Sequence, residues 1–487
     1  MKYDFKHAAL PNIKMLKNYF ILLLAGSVFL FSCTVSKQIA KQANATILKD
    51  SAVNTGHIGI SIYEPATNKY WYNHNAINYF IPASNTKLFT LYAGMKYLGD
   101  SLVGARYFEK ENALIIIPTA DPTFLNEEYK FQPLLAAMHQ STKPIVIRFG
   151  NEAFSRWGNG WAWNDYQNSY MVEKSEMPIF GNTITFFDVD DSALAVFGTE
   201  NFVQFHTQPK LFANEKYWNK WQFKPYEVIK ENNWDSIQKR IALRKSFFFK
   251  IGRNLESNTF YIRDALEKQK QQQIPFATSR KIVVELLSDT IKKPIYNAQK
   301  FMSDHENLNA KFSKTIHSQP SDSLFKPMMH RSDNFFAEQT LLMASNEFLG
   351  FMSDEKMIDT ILKSSLKDLP QRPKWVDGSG LSRYNLTTPQ SLVYLLNKMK
   401  NEFGLERLKT ILPTGGEGTL ASYFKKNAGR IYAKTGTLSN NCALSGFLIT
   451  QKGKLLVFSI LNNNYITGAA PIRKAAEQFL ENLINTY

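Results

Sequence analysis

Apolar residues recur at three- and four-residue spacing at Leu88, Leu91, Tyr92, Met95 and Leu98, which predicts a helix burying one face and starting just after Pro82. Toward the N-terminus, HIGISIYE and KYWYNHN are short β-rich runs separated by PATN, which predicts a hairpin with a proline-containing turn. Near the other end, RIYAKTGT, ALSGFLIT and KLLVFSILNN read as three more strands, and a helix from about Pro471 to Tyr487 follows them. Five antiparallel strands drawn from both ends, flanked by helices, predict an α+β domain whose sheet is split in sequence into residues 45–105 and 278–487. The middle, 106–277, is then a large β-rich insertion after the first helix, of one or two subdomains. It holds short β-like runs such as NTITFFDV and AVFGTENFVQFHT, the polar patch EKQKQQQ and the aromatic stretch RWGNGWAWNDYQNSY. Its Trp157, Trp161 and Trp163 are expected to pack structurally.

That first helix raises a chemical question. Ser84 and Lys87 both fall in its opening turn, and residues i and i+3 share a helix face, so the amine can reach the hydroxyl. First-turn N–H groups also point at anything bound beside Ser84. Taken alone, Ser84 as an N-cap and Lys87 as a solvated charge explain the pair equally well.

At 487 residues, with 44% hydrophobic and 14% aromatic content, the chain can fill the cores of a multidomain globular protein. Its 58 Lys and Arg against 42 Asp and Glu give +16, which suits an anionic partner. Zinc-type Cys or His spacing, an RNP-like aromatic strand and a dense Lys/Arg tract are all missing, which argues against nucleic acid. The eight His show no ligand spacing, so no metal and no cofactor are expected. The only cysteines are Cys33 and Cys442, which rules out a disulfide framework, and Cys442 reads as a half-buried strand residue.

Lys14 and Lys17 precede the apolar run NYFILLLAGSVFLFSC, too short for a comfortable membrane span and suited to the core of a signal peptide over residues 1–32. Leu30, Ser32 and Cys33 resemble the lipobox of bacterial lipoproteins, with Phe31 where a small residue is usual. That resemblance implies lipidation at Cys33, a short linker over 33–44, and a periplasmic, membrane-anchored lipoprotein.

Two further patterns bear on Ser84. HRSDNFFAEQTLLMAS places Ser332, Asp333 and Asn334 just before a helical apolar pattern, and YAKTGTLSN places Lys434, Thr435, Gly436 and Thr437 on a predicted strand. S-x-x-K, S-D-N and K-T-G in that order are the motif set of penicillin-binding proteins and class A β-lactamases. With DPTFL at Asp121, RWGNGWAW, MHRSDNFFAEQ, DGSGLSRYN at Asp377 and LPTGGEGTL, the chain resembles the serine D-alanyl-D-alanine carboxypeptidase/endopeptidases of the penicillin-binding protein 4 type, peptidase family S13. The resemblance runs over most of residues 55–450 and includes the long stretch between Ser84 and Ser332.

It implies a penicillin-binding/β-lactamase-like transpeptidase fold and a serine DD-peptidase. Such an enzyme cleaves D-Ala-D-Ala, and in some members D-Ala-diamino acid cross-links, in peptidoglycan stem peptides through an acyl-enzyme, and binds β-lactams covalently. Carried onto matching positions, it makes Ser84 the nucleophile and Lys87 its base, with a pKa depressed by burial and by the charge of Lys434. Ser332 passes the proton to the leaving nitrogen, and Asn334 holds Lys87 and the substrate amide. The strand Lys434, Thr435, Gly436 and Thr437 binds substrate, with Lys434 facing the cleft and either solvated or paired with the substrate carboxylate, and the N–H groups of Ser84 and Thr437 form the oxyanion hole. DGSGLS around Ser379 is not G-x-S-x-G and reads as a turn lining the cleft; TGGEGT lacks the Lys of a phosphate loop and reads as a turn too. Two rivals stay open: a β-lactamase or serine esterase of the same fold, and a non-catalytic, lipid-anchored cell-wall binding protein. Against the first, no Glu between Ser332 and Lys434 has an Asn four positions on.

Overall fold

The computed structural model describes residues 35–150, 153–187, 206–218, 248–265, 271–298 and 314–487. The expected signal peptide, Cys33 and most of the AVFGTENFVQFHT run lie outside the described residues.

Strands β1 (His57–Glu64) and β2 (Lys69–His74) form the predicted hairpin, and helix α1 (Lys87–Tyr97) follows a 3-10 turn, Ala83–Thr86, that carries Ser84. Strands β3 (Ser101–Glu109), β4 (Leu114–Pro118) and β5 (Ile145–Ile147) come next. After helix α2 (Arg280–Ile291), strands β6 (Ile295–Asn297) and β7 (Lys314–Pro320) complete with them a second, mixed sheet in the order β6-β5-β4-β3-β7. Helices α3 (Ser321–His330), α4 (Asn334–Leu349) and α5 (Pro389–Phe403) lead to strands β8 (Ile431–Leu438), β9 (Asn441–Ile449) and β10 (Leu455–Asn463), and helix α6 (Ala469–Thr486) follows. The first sheet is five-stranded and antiparallel, in the order β8-β9-β10-β1-β2, as the split pattern predicts.

One face of that sheet packs on the helical layer, where α1 and α4 are buried almost all round, the pattern of core helices. Gly94 brings α1 close: a Cβ there would stand 2.6 Å from the Phe325 ring and 2.9 Å from Thr340 of α4. The other face is covered by Ile472, Phe479, Leu480 and Leu483 of α6 and by Ile39 and Ala43. Residues 33–44, expected as a linker, are therefore helical from 35 to 43 and anchored by burial of those two side chains.

The expected breaks at 105 and 278 fall inside the second sheet's unit. Strand β3 runs unbroken across 105 because Leu102, Val103 and Ala105 are all buried, and Ile282, Val283, Leu286 and Leu287 of α2 share a core with Ile116, Ile145 and Ile147. A three-stranded sheet, Thr183–Phe187 with His206–Gln208 and Gln271–Pro275, and a hairpin, Phe248–Arg253 with Phe260–Ala265, complete the inserted region. Among the described residues no helix is long and apolar enough to cross a membrane.

Candidate active site

Ser84 is half-buried in the tight turn that opens α1, and Ala83 beside it has the left-handed φ of 47°, a costly conformation for alanine that packing must hold. One turn on, Lys87 has no exposed surface. Its Nζ donates to Ser84 Oγ at 3.0 Å, to Asn334 Oδ1 at 2.6 Å and to the carbonyl of Ser379 at 2.7 Å. Three acceptors match the three protons of an ammonium, and a neutral amine would keep two of the contacts while its lone pair took a proton from the third. Burial brings Lys87 down to about 8, against the opposing charges of Asp377, Glu338 and Asp333.

Ser332 sits in the left-handed region at φ 62° just before α4, and Asp333 caps that helix by accepting the Phe336 N–H at 2.9 Å. Ser332 Oγ accepts from Lys434 Nζ at 2.9 Å, and the same ammonium donates to the Thr435 carbonyl at 2.7 Å. Lys434 is fully buried rather than solvated, because β8 packs against the turn that carries Ser84. Burial first, then the positive charges of Lys87 and Arg473, hold it well below the usual lysine range.

The strand is locked to the turn at two points. Asn85 Nδ2 donates to the Lys434 carbonyl at 2.9 Å, and a Cβ on Gly436 would lie 2.7 Å from the Pro82 carbonyl and 3.0 Å from the Ser84 nitrogen, so only glycine allows this approach. Side chains alternate along β8. Lys434 reaches Ser332 and Gly436 faces the Ser84 turn, while Thr435 is buried toward α6 and does not join the lysine contacts; Thr437 is exposed at the strand's end, where Arg473 Nη2 donates to its Oγ1. The side chains thus make two hydrogen-bonded sets, Ser84–Lys87–Asn334 and Ser332–Lys434, held against each other by Asn85 on the Lys434 carbonyl and by Gly436 on the Ser84 turn.

Several residues that spacing did not single out support them. The buried Glu338 carboxylate accepts the N–H groups of Gly378 at 3.1 Å and Ser379 at 2.8 Å, so it shapes the loop whose carbonyl receives Lys87; burial and the nearby Asp377 raise its pKa. Asp377 accepts from Gly380 N, Ser382 N and Asn385 Nδ2, all within 2.8 Å. Gly380, at φ 80°, passes so near the Ala83 carbonyl that a Cβ would overlap it at 1.9 Å. The DGSGLS stretch is thus the turn lining the cleft that the sequence suggests, and its main chain touches the lysine directly.

The inserted region reaches the same place. Trp161 Nε1 donates to Asp377 Oδ2 at 3.0 Å, and Asn334 Nδ2 donates to the Tyr170 carbonyl at 2.9 Å. Of the three tryptophans expected to pack structurally, none is buried, and Trp163 is 69% exposed. The local spacing of Trp161 carries no signal for its contact, because its partner Asp377 lies 216 positions away.

A five-stranded antiparallel sheet with a serine-lysine turn between sheet and helices is the fold of the penicillin-binding/β-lactamase-like serine enzymes. Within that class the chain belongs to the D-Ala-D-Ala carboxypeptidase 3 (S13) family, whose model matches residues 40–483. It is 30% identical over 182 residues to the D-alanyl-D-alanine carboxypeptidase DacB of Haemophilus influenzae, covering 34% of this chain and 37% of that one. It is 41% identical over 104 residues to a D-alanyl-D-alanine carboxypeptidase of Actinomadura, covering 20% and 19%. The matched stretches thus span well under half of these relatives. The crystal structure of penicillin binding protein 4 (dacB) from Haemophilus influenzae superposes with a TM-score of 0.65 at 18% identity, covering 91% of this chain and 98% of that one, which shows the shared fold.

If the neutral amine of Lys87 is the form that activates Ser84, the rate at which an acylating reagent modifies Ser84 should climb about tenfold per pH unit below about 8 and level off above it. Peptide mapping of the modified serine across pH 6–10 checks this. A flat profile over that range contradicts it.

Proposed function

We propose that this chain is a serine DD-peptidase acting on peptidoglycan stem peptides. The observation that carries the proposal is the 3.0 Å contact between Ser84 Oγ and the Nζ of a lysine with no exposed surface. Lys87 in its neutral form takes the Ser84 proton as Ser84 Oγ bonds to the carbonyl carbon of the penultimate D-Ala. The oxyanion is received by the Ser84 and Thr437 N–H groups, a placement supported by the close packing of Gly436 on the Ser84 nitrogen. The proton passes through Ser332 to the leaving D-Ala nitrogen, the C–N bond breaks, and D-Ala departs. Lys434, which donates to Ser332, favours that relay electrostatically. Lys87 then deprotonates a water that hydrolyses the ester. Asn334 orients Lys87 through Oδ1, and the K-T-G-T strand holds the substrate's terminal carboxylate. A β-lactam carbonyl would enter the same sequence and stay attached, because its leaving nitrogen remains tethered. The names of the Haemophilus and Actinomadura relatives support this substrate class.

The inserted region is read as an accessory unit that walls the cleft, and the N-terminal segment as an export signal ending in a lipid-modified Cys33 that holds the enzyme on the periplasmic side of a membrane. The excess of basic residues suits an acidic cell-wall polymer.

Incubated with purified muropeptides, the protein is expected to convert pentapeptide stems to tetrapeptides, read by mass, while Ser84→Ala does nothing. Loss of cross-linked dimers in the same digest marks endopeptidase action. Unchanged muropeptides together with no covalent labelling by a fluorescent penicillin would leave a non-catalytic binding protein, and rapid turnover of the penicillin itself would leave a β-lactamase.

Globomycin is expected to make the unprocessed precursor accumulate, and Cys33→Ala to release the protein from membranes on fractionation. Membrane association unchanged by Cys33→Ala rules out the lipid anchor.

A further inference from the structure

Arg473 stands in the first turns of α6, and its guanidinium reaches over β9 to the cleft end of β8, where Nη2 donates to Thr437 Oγ1. None of the ion pairs among the described residues includes it. Its Nε is buried with no hydrogen-bond acceptor, which is costly for a charged donor. The side chain is held in place by the Tyr423 ring, 5.9 Å from the guanidinium carbon, and by Cys442, which pairs with Thr437 across the two strands. Thr435 and Arg473 line the same small cavity between the sheet and α6. A guanidinium held at the exposed Thr437 hydroxyl, with no ion pair among the described residues, is suited to receive a planar anion.

Lys434 is poorly placed to fill that role alone. Its amine has no exposed surface and already donates to Ser332 Oγ and the Thr435 carbonyl. Arginine keeps its charge at any pH the enzyme meets. Resting on the DD-peptidase reading, we propose that Arg473 is a specificity-determining residue that binds the substrate's terminal carboxylate beside Thr437, leaving Lys434 to serve Ser332. The fixed guanidinium is then what makes the enzyme act at the free carboxyl end of a peptide.

The test compares two thioester substrates identical except at the leaving group, one an acyl-D-alanyl thioglycolate with a free carboxylate and the other its carboxamide. Wild type is expected to favour the carboxylate by about 10- to 100-fold in kcat/KM, the span of one or two charge-assisted hydrogen bonds. In Arg473→Gln that preference should vanish through the carboxylate substrate alone, with carboxamide turnover unchanged, and Arg473→Lys should restore part of it. An equal fall on both substrates would make Arg473 a structural residue, and a retained preference in Arg473→Gln would show that another group reads the carboxylate; either result overturns the proposal. Wild type that turns over neither thioester and takes no penicillin label would instead bring down the DD-peptidase reading on which it rests.

Discussion

A lysine amine taken fully out of water must either be matched by acceptors or lose its proton, and Lys87 is poised between the two. Burial draws its pKa down to about 8, and the carboxylates of Asp377, Glu338 and Asp333 keep it from falling further. Three oxygens meet its nitrogen, one each from Ser84, the start of α4 and the DGSGLS loop. Because those oxygens come from segments far apart in sequence, the amine cannot be placed until the turn, the helix and the loop are all in position.

The fold can be understood as the means of bringing those pieces together. Helices α1 and α4 are buried almost all round, so their N-terminal ends, which carry Lys87 and Asn334, are fixed by packing on every side. Strand β8 can press against the Ser84 turn because position 436 has no side chain, and the loop can pass beneath Ala83 because position 380 has none. Glu338 ties the loop to α4 from below, and the insertion closes it from the side through Trp161 on Asp377 and Tyr170 on Asn334. The inserted region therefore touches both the amine's acceptor and the loop that shapes its pocket.

What could be read from sequence follows from how local the determining contacts are. β-rich runs mark β1, β2, β8, β9 and β10, and the serine-lysine contact follows from helical spacing. The expected lipid attachment and signal segment lie outside the described residues. Glu338 and Asp377 lie in motifs the sequence displays, but their roles in shaping the lysine's pocket were not legible, because a buried carboxylate on a helix or in a glycine turn is written no differently from an exposed one. The unit boundaries at 105 and 278 fell elsewhere because β3 and α2 belong to a sheet whose other strands are distant in sequence. Burial of Lys434 and the approach of Arg473 are tertiary facts: the first depends on the nucleophile turn and the second on α6 crossing β9, and neither has a local signature.

The most direct test replaces the amine by a cation that keeps its proton. Second-order acylation of Ser84 by benzylpenicillin, followed by mass, is to be measured in wild type, Ser84→Ala and Lys87→Arg. A guanidinium preserves the charge and cannot accept the serine proton, so Lys87→Arg should fall nearly to the Ser84→Ala background, since members of a catalytic unit do not act additively. Rapid acylation of Lys87→Arg, or labelling at Ser379 in place of Ser84, would contradict the account.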